Sequence, residues 1–433
     1  MHRRPAALPL RPSRVRTACL AALACAAPAL APAQDGPTVE VAMHYSAEQA
    51  APLIECFARY EAETGVAAEY VQLSYRDYLQ TVLTSRLAGS APDVYHVYSI
   101  WAPQLVDNAV LAEPPEEIAE FVRDGYQPTT VEAATVGDTL WGVPTEVSTY
   151  MLLSNMRLLR EAGIESPPTT FEALREAAAK ITTRNDQGRI ETAGFALADS
   201  STGAGLVHPF YAQLYSAGTE PYEEGFGGTN LASDAAVAAV TDLKSLFDDG
   251  VTDRSVDAFD FPAGGIAMVI MANWFEADVR AGFGDAIDEV VAVTQLPFGE
   301  DWRTLQYAFL FGVDSGSDVA DEAWELVRWV NSPESAAEAG GPSCVGETLA
   351  GFGALTANMA DLEALGEPDA FSAPYVAALA DGRAITQPNV MQAAEIERAM
   401  ADAIGTALDG GESPEAAMER LDEQVSDILF EFY

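Results

Sequence analysis

Residues 38–99 read TVEVAMHYSAEQAAPLIECFARYEAETGVAAEYVQLSYRDYLQTVLTSRLAGSAPDVYHVYS. Three short runs, TVEVAMHY (38–45), AAEYVQL (67–73) and DVYHVYS (93–99), are separated by two longer helical stretches. The first run alternates apolar and polar residues, as a strand with one buried face does. In the stretch that follows, Leu53, Ile54, Phe57 and Tyr60 fall on one helical face, and Gly65 supplies a terminator. The second helical stretch ends near Gly89. Strand, helix, strand, helix, strand in this rhythm predicts an α/β fold.

Upstream of this unit, Arg3, Arg4, Arg11, Arg14 and Arg16 precede an Ala- and Leu-rich run from Ala18 to Ala31, which ends in Ala31-Pro32-Ala33. A basic segment, a short apolar segment and a small-residue cleavage site predict a secretory signal peptide at 1–33. The run is too short and Ala-rich for a membrane span. Arg3-Arg4 lie far from it, which favours the general secretory route over twin-arginine export. Ala22-Leu23-Ala24 before Cys25 is a poor lipidation signal, so no lipid anchor is expected there. With no other apolar run of about 18 residues, the mature chain is expected to be soluble and periplasmic.

The 433 residues carry 23 basic and 66 acidic side chains, a formal charge of −43. Five of the 23 basic residues leave with the leader, so 18 face 66 and the balance becomes −48. Such a field repels nucleic acid and anionic lipid. The carboxylates are scattered and the only lysines are Lys180 and Lys244, a composition suited to staying hydrated in a saline habitat. Beyond the leader only Cys56 and Cys344 remain, which leaves two alternatives: a single bridge, or two buried thiols. His44, His96 and His208 stand far apart, and no spacing suggests a metal site.

Further helices announce themselves by caps. Thr169 and Glu172 have capping-box spacing, Ser332-Pro333 matches an N-cap followed by a first-turn proline, and Ser413-Pro414 repeats that pattern. After Ser413, Met418, Leu421, Val425, Ile428, Leu429 and Phe432 form one stripe. The length is enough for two or three domain-sized units. No linker, repeat or low-complexity segment divides them, so the units are expected to interleave.

Catalytic motifs are missing: there is no G-x-S-x-G elbow, P-loop, H-E-x-x-H or dinucleotide fingerprint. Carboxylates are so abundant that no Asp/Glu pair stands out as an acid/base couple. No catalytic residue and no cofactor is therefore assigned. What stands out is a set of aromatic, amide and carboxylate residues at predicted strand ends: Tyr45-Ser46, Tyr98-Ser99 with Trp101, Thr145-Glu146 after LWGVP, and Asn273-Trp274-Phe275 after the apolar run from Ile266 to Met271. Ligands of open α/β sheets lie beyond the carboxyl ends of strands. Aromatic faces beside amide and carboxylate oxygens suit a polyhydroxylated ligand.

The chain resembles the extracellular solute-binding proteins, family 1, of ABC importers, the maltose-binding-protein-like group. The segments that carry the resemblance are 57–97, ending in A-P-D-V-Y-H-V; 138–182, with G-V-P, Asn155, E-A-G and P-P-T-T-F-E-A-L; GGIAMVIMANWF (264–275); AWELVRWVNSPESAAEAG (323–340); and ALDGGESPEAAMERLDEQV (407–425). The resemblance implies a two-lobed, type II periplasmic-binding-protein-like α/β fold with a ligand cleft between lobes. It places 38–145 and 275–335 in the N-terminal lobe and 146–274 and 336–433 in the C-terminal lobe, with crossings near Val143–Ser148, Trp274–Val279 and Asn331–Gly341. It also implies a monomer that delivers solute to membrane permease subunits without covalent chemistry.

By the same resemblance Trp274 matches a cleft tryptophan that stacks on sugar rings, and Glu146 a ligand-bonding position after the crossover proline. Tyr45, Ser46, Tyr98 and Ser99 line the first lobe's side, Gln306 and Tyr307 stand where many members have paired glycines, and Asn389 lies in a loop near the mouth. Charged residues from Glu395 to Arg398 replace the late aromatic of long-oligosaccharide binders, which argues against maltodextrin-like ligands. Few arginines lie near the expected cleft, which argues against phosphorylated ones. The expected ligand is a small neutral carbohydrate: a monosaccharide, a disaccharide or a polyol. The alternatives are a glycan-acting enzyme and a binding protein for a cationic or zwitterionic solute, with Trp274 as a cation–π face.

Overall fold

The computed structural model describes residues 36–197 and 204–433. The expected leader at 1–33, with Cys25, lies outside the described residues.

The opening unit forms as its periodicity predicts. Strand β1 (Thr38–Met43) pairs in parallel with β2 (Ala67–Gln72) on one side and β3 (Val94–Tyr98) on the other. Helices Ala51–Thr64 and Tyr78–Ala88 make the connections that parallel pairing requires. The first helix buries Leu53, Phe57 and Tyr60. It stops at Gly65, whose φ of 78° lets its N–H close back on the Glu61 carbonyl.

Two long strands then organise the rest. β4 (Val143–Asn155), β5 (Met268–Ala272), β6 (Val291–Thr294), β7 (Thr304–Val313), β8 (Leu355–Thr356) and β9 (Ala384–Thr386) join β1–β3 in one nine-stranded mixed sheet. Its main path runs β6-β4-β7-β3-β1-β2. β4 and β7 are buried along their whole length and pair antiparallel at the centre. Beyond that pairing, β7 reaches β3 through Phe309–Val313 and β9 through Thr304–Gln306. β4 reaches β5 and β6 through Tyr150–Asn155. These two strands thus carry the sheet from the β1–β3 half to the β5–β6–β9 half. Strands buried on both faces are expected to read as near-continuous hydrophobic runs; TYMLLS within β4 and YAFLFGV within β7 do so.

Helices Ala204–Ser216, Asp234–Asp248, Ala393–Leu408 and Pro414–Phe430 pack on one another. In the last, Ser413 accepts from the Ala416 N–H, and Met418, Leu421, Val425 and Leu429 are buried. Two cap expectations are corrected. Thr170, not Thr169, caps helix Phe171–Ile181 by accepting from Ala173 N–H, because the Thr169 carbonyl is engaged by Gly299 N–H. Ser332 does accept from Glu334 N–H, but only a single turn, Pro333–Ser335, follows. The Ser335 hydroxyl there accepts from the Cys344 N–H, and Ala336 is already extended.

Cys56 and Cys344 are joined as a disulfide, which decides between the two alternatives the sequence left open. The bond ties helix Ala51–Thr64 to helix Cys344–Ala350 across 288 residues of chain. Among the described residues no helix is long and apolar enough to cross a membrane.

Candidate binding cavity

A cavity of about 300 Å³ opens where the ends of β1 and β3 meet the middle of β4 and β7. From the first half come His44 and Tyr45, directly after β1, Gln49 in the following turn, Tyr75 ahead of helix Tyr78–Ala88, and Tyr98, the last residue of β3. Side chains alternate along a strand, so Glu146, Ser148 and Tyr150 share one face of β4. Tyr307 lies opposite Ser148 in the register, and Phe309 is two residues further on. Strand alternation thus brings Glu146, Tyr150, Tyr307 and Phe309 to the same cavity.

Turns and a helix complete the walls. Trp274 lies two residues past β5, Phe259 stands in the turn Ala258–Ala263, His208 comes from helix Ala204–Ser216, and Phe352 follows helix Cys344–Ala350. Phe352 is set by its neighbour Gly353: with φ 80° and a would-be Cβ only 2.6 Å from the Glu276 Cβ, that position takes no side chain. Phe352 then meets Tyr45 edge to face at 5.0 Å. Tyr98 stacks on Phe309 at 5.2 Å and meets Tyr307 edge-on at 5.0 Å, while Phe259 lies 6.1 Å from Trp274.

The polar atoms are tied to one another by hydrogen bonds. Glu146 is 3% exposed and accepts from the Tyr45 hydroxyl and, at 2.9 Å, from Ser148 Oγ. At the other end the Tyr98 hydroxyl donates to Gln387 Oε1 at 2.9 Å, and Gln387 Nε2 donates to Glu397 Oε1 at 2.7 Å. His208 bridges Glu397 (3.3 Å) and the Tyr150 hydroxyl (2.6 Å). Trp274 Nε1 donates to the Tyr307 hydroxyl at 2.9 Å.

Burial dominates the electrostatics. It pushes the Glu146 carboxyl above the usual carboxylate range, against the hydrogen bonds from Tyr45 and Ser148. It also raises the Tyr45 phenol, with the Glu146 charge adding to the effect, and lowers His44 to about 3. His96, behind His44, is lowered by burial and then by its histidine neighbour, and its Nε2 rests 2.8 Å from Thr145 Oγ1. His44 is therefore a neutral ring in the wall.

Of the residues singled out from sequence, Tyr45, Tyr98, Glu146, Trp274 and Tyr307 are brought together around this cavity. The others lie elsewhere. Ser46 exchanges hydrogen bonds with Gln49, which does line it. Ser99 is buried under β7, 3.4 Å from the Ala308 N–H. Trp101 stacks on Tyr78 at 5.4 Å in the core behind Tyr98 and Tyr75. Gln306 is turned to the opposite face by the same alternation that presents Tyr307. Asn389 binds the carbonyls of Ala133 and Thr135. His44, Gln49, Tyr75, Tyr150, His208, Phe259, Phe309 and Phe352 were not singled out. Tyr150 and Phe309 could have been found by stepping four residues from Glu146 and two from Tyr307.

Residues 45–337 match the family model described as bacterial extracellular solute-binding protein. The chain belongs to that family of binding proteins. A putative binding protein of Brucella abortus is 25% identical over 70% of this chain and 74% of its own length. A probable amino-acid ABC transporter periplasmic-binding protein of Sinorhizobium fredii is 24% identical over 84% and 83%. The GacH receptor of Streptomyces glaucescens, solved unliganded and with acarbose, superposes with a TM-score of 0.78 over 92% of this chain and 100% of that one, at 20% identity. The fold is the two-lobed α/β fold of periplasmic binding proteins.

Proposed function

We propose that this protein is the substrate-binding subunit of an ABC importer, capturing a small carbohydrate of monosaccharide, disaccharide or polyol size and delivering it to membrane permease subunits. The observation that carries this reading is the make-up of the cavity: among the described residues, every lining residue except Gln49 and Glu146 bears an aromatic ring. Rings pack on the C–H faces of a sugar, while Glu146 and Gln49 can engage its hydroxyls. A volume of about 300 Å³ stands at the low end of the ~300–1,000 Å³ of small-molecule sites, which favours one or two sugar rings over a long oligosaccharide. The S. fredii relative's description supports the importer role, and the acarbose complex of the Streptomyces receptor supports a carbohydrate. β4 and β7, shared by both halves of the sheet, are where hinge closure would act.

The test is thermal unfolding of the purified protein against a panel of sugars and polyols. A ligand that binds only the folded state adds RT ln(1 + [L]/Kd), about 2.7 kcal/mol at a hundredfold excess over Kd. At least one sugar is expected to raise Tm by several degrees. Trp274→Ala is expected to weaken its binding tenfold or more with little change in the unliganded Tm. A panel without any shift, or a Trp274 variant that binds normally, removes the reading.

A further inference from the structure

We propose that the solute carries a protonated amine, seated against Glu146 within the aromatic walls, so that the carbohydrate is an amino-substituted one. This rests on the cavity being the site of solute capture, as above. Among the described lining residues Glu146 is the only carboxylate, and none is an arginine or lysine. No ion pair to it forms among the described residues, where its partners are the hydroxyls of Tyr45 and Ser148. A carboxylate offers about four lone-pair sites, so two hydrogen bonds leave accepting capacity. A buried anion without a counter-charge is costly, and an ammonium group at this wall offsets that cost.

Three of the wall's donors are already spent within the protein. The Tyr45 hydroxyl donates its hydrogen bond to Glu146, the Tyr98 hydroxyl donates to Gln387, and the indole N–H of Trp274 donates to Tyr307. What Tyr45 and Tyr98 still offer a ligand is lone pairs. An ammonium group is donor only, with three N–H bonds and no acceptor. Ring faces attract a cation on their own account. The histidine beside Tyr45 does not oppose it, since burial keeps His44 neutral. Glu397, 3.3 Å behind His208, and the net charge of −43 add to a negative potential that draws cations toward the protein.

Matched pairs test the amine directly: glucose with glucosamine, galactose with galactosamine, mannose with mannosamine, and putrescine as an amine without a sugar ring, all by calorimetry on the full mature chain at pH 7. One hexosamine is expected to bind at least about tenfold more tightly than its neutral parent, the scale of a charge-assisted contact. E146Q should bring the two together, mainly by loss of hexosamine affinity, because Gln can still accept from Tyr45 and donate to Ser148. If E146Q does not fold, the pH profile of the native protein serves. As pH falls, Glu146 takes a proton at a less acidic pH than an exposed glutamate, since burial raises it, and hexosamine affinity falls while glucose affinity stays level. Neutral sugars binding as well as their amino counterparts overturn the amine and leave the carbohydrate reading standing. Putrescine binding with all six sugars inert upholds the amine and removes the carbohydrate. No binding by any probe overturns both.

Discussion

His44, Tyr45 and Tyr98 stand at the ends of strands, whereas Phe259 and Phe352 project from turns, and the two groups meet across one cavity. The strand-borne wall belongs to the core as well as to the site. Tyr98 is 2% exposed, stacked on Phe309 and hydrogen-bonded to Gln387. On the turn-borne side Phe352 is buried against Tyr45, but Phe259 is packed more lightly: it is 41% exposed, resting against Trp274 and Phe275. The contrast teaches that most of the site is held by the same burial that holds the fold, while Phe259 can change with little effect on folding.

The largest effect should come from the strand-borne side. Tyr98→Ala removes a buried ring and strands Gln387, and about 3–5 kcal/mol of stability should be lost in urea unfolding. A loss below about 1 kcal/mol would mean that Tyr98 is not part of the core and would break the comparison. Next is the clasp between the two sides. Replacing both Cys56 and Cys344 by Ser releases the helix that precedes Phe352 and should cost about 2–4 kcal/mol; the same loss should appear when the native protein is unfolded with reductant present. The smallest effect on stability belongs to Phe259→Ala, within about 0.5 kcal/mol as for an exposed site, together with a several-fold loss of solute affinity. Equal destabilisation by Phe259→Ala and Tyr98→Ala would erase the distinction.

The comparison also explains what could be foreseen. Val39, Val41, Leu53, Phe57 and Tyr60 announce the opening unit because periodicity reports directly on which face is buried. Tyr45, Tyr98, Glu146 and Trp274 were legible as strand-end or crossover residues and Tyr307 through the family resemblance, and they do share a cavity. Gln306 was misplaced from it because a pair of adjacent strand residues cannot both face one side. Trp101 was misplaced because a strand-end aromatic reads alike whether it faces the cavity or Tyr78. His208, Phe259 and Phe352 carry no local signal at all. They come from segments far apart in the chain, and only packing brings them to the same 300 Å³.

The amino-acid sequence by itself determined the α/β class, the strands and helices of the first unit, the helix caps at Gly65 and Ser413, the family and the acidic field. All of these follow from local periodicity, backbone preferences or composition. Tertiary structure alone decided that Cys56 and Cys344 are bonded, that Glu146 sits in an aromatic cavity with no cationic partner among the described residues, and that the donors of Tyr45, Tyr98 and Trp274 are spent within the protein. Those depend on which side chains meet across long stretches of chain. Burial and hydrogen-bond pairing, which set the chemistry of a site, exist only once they have met.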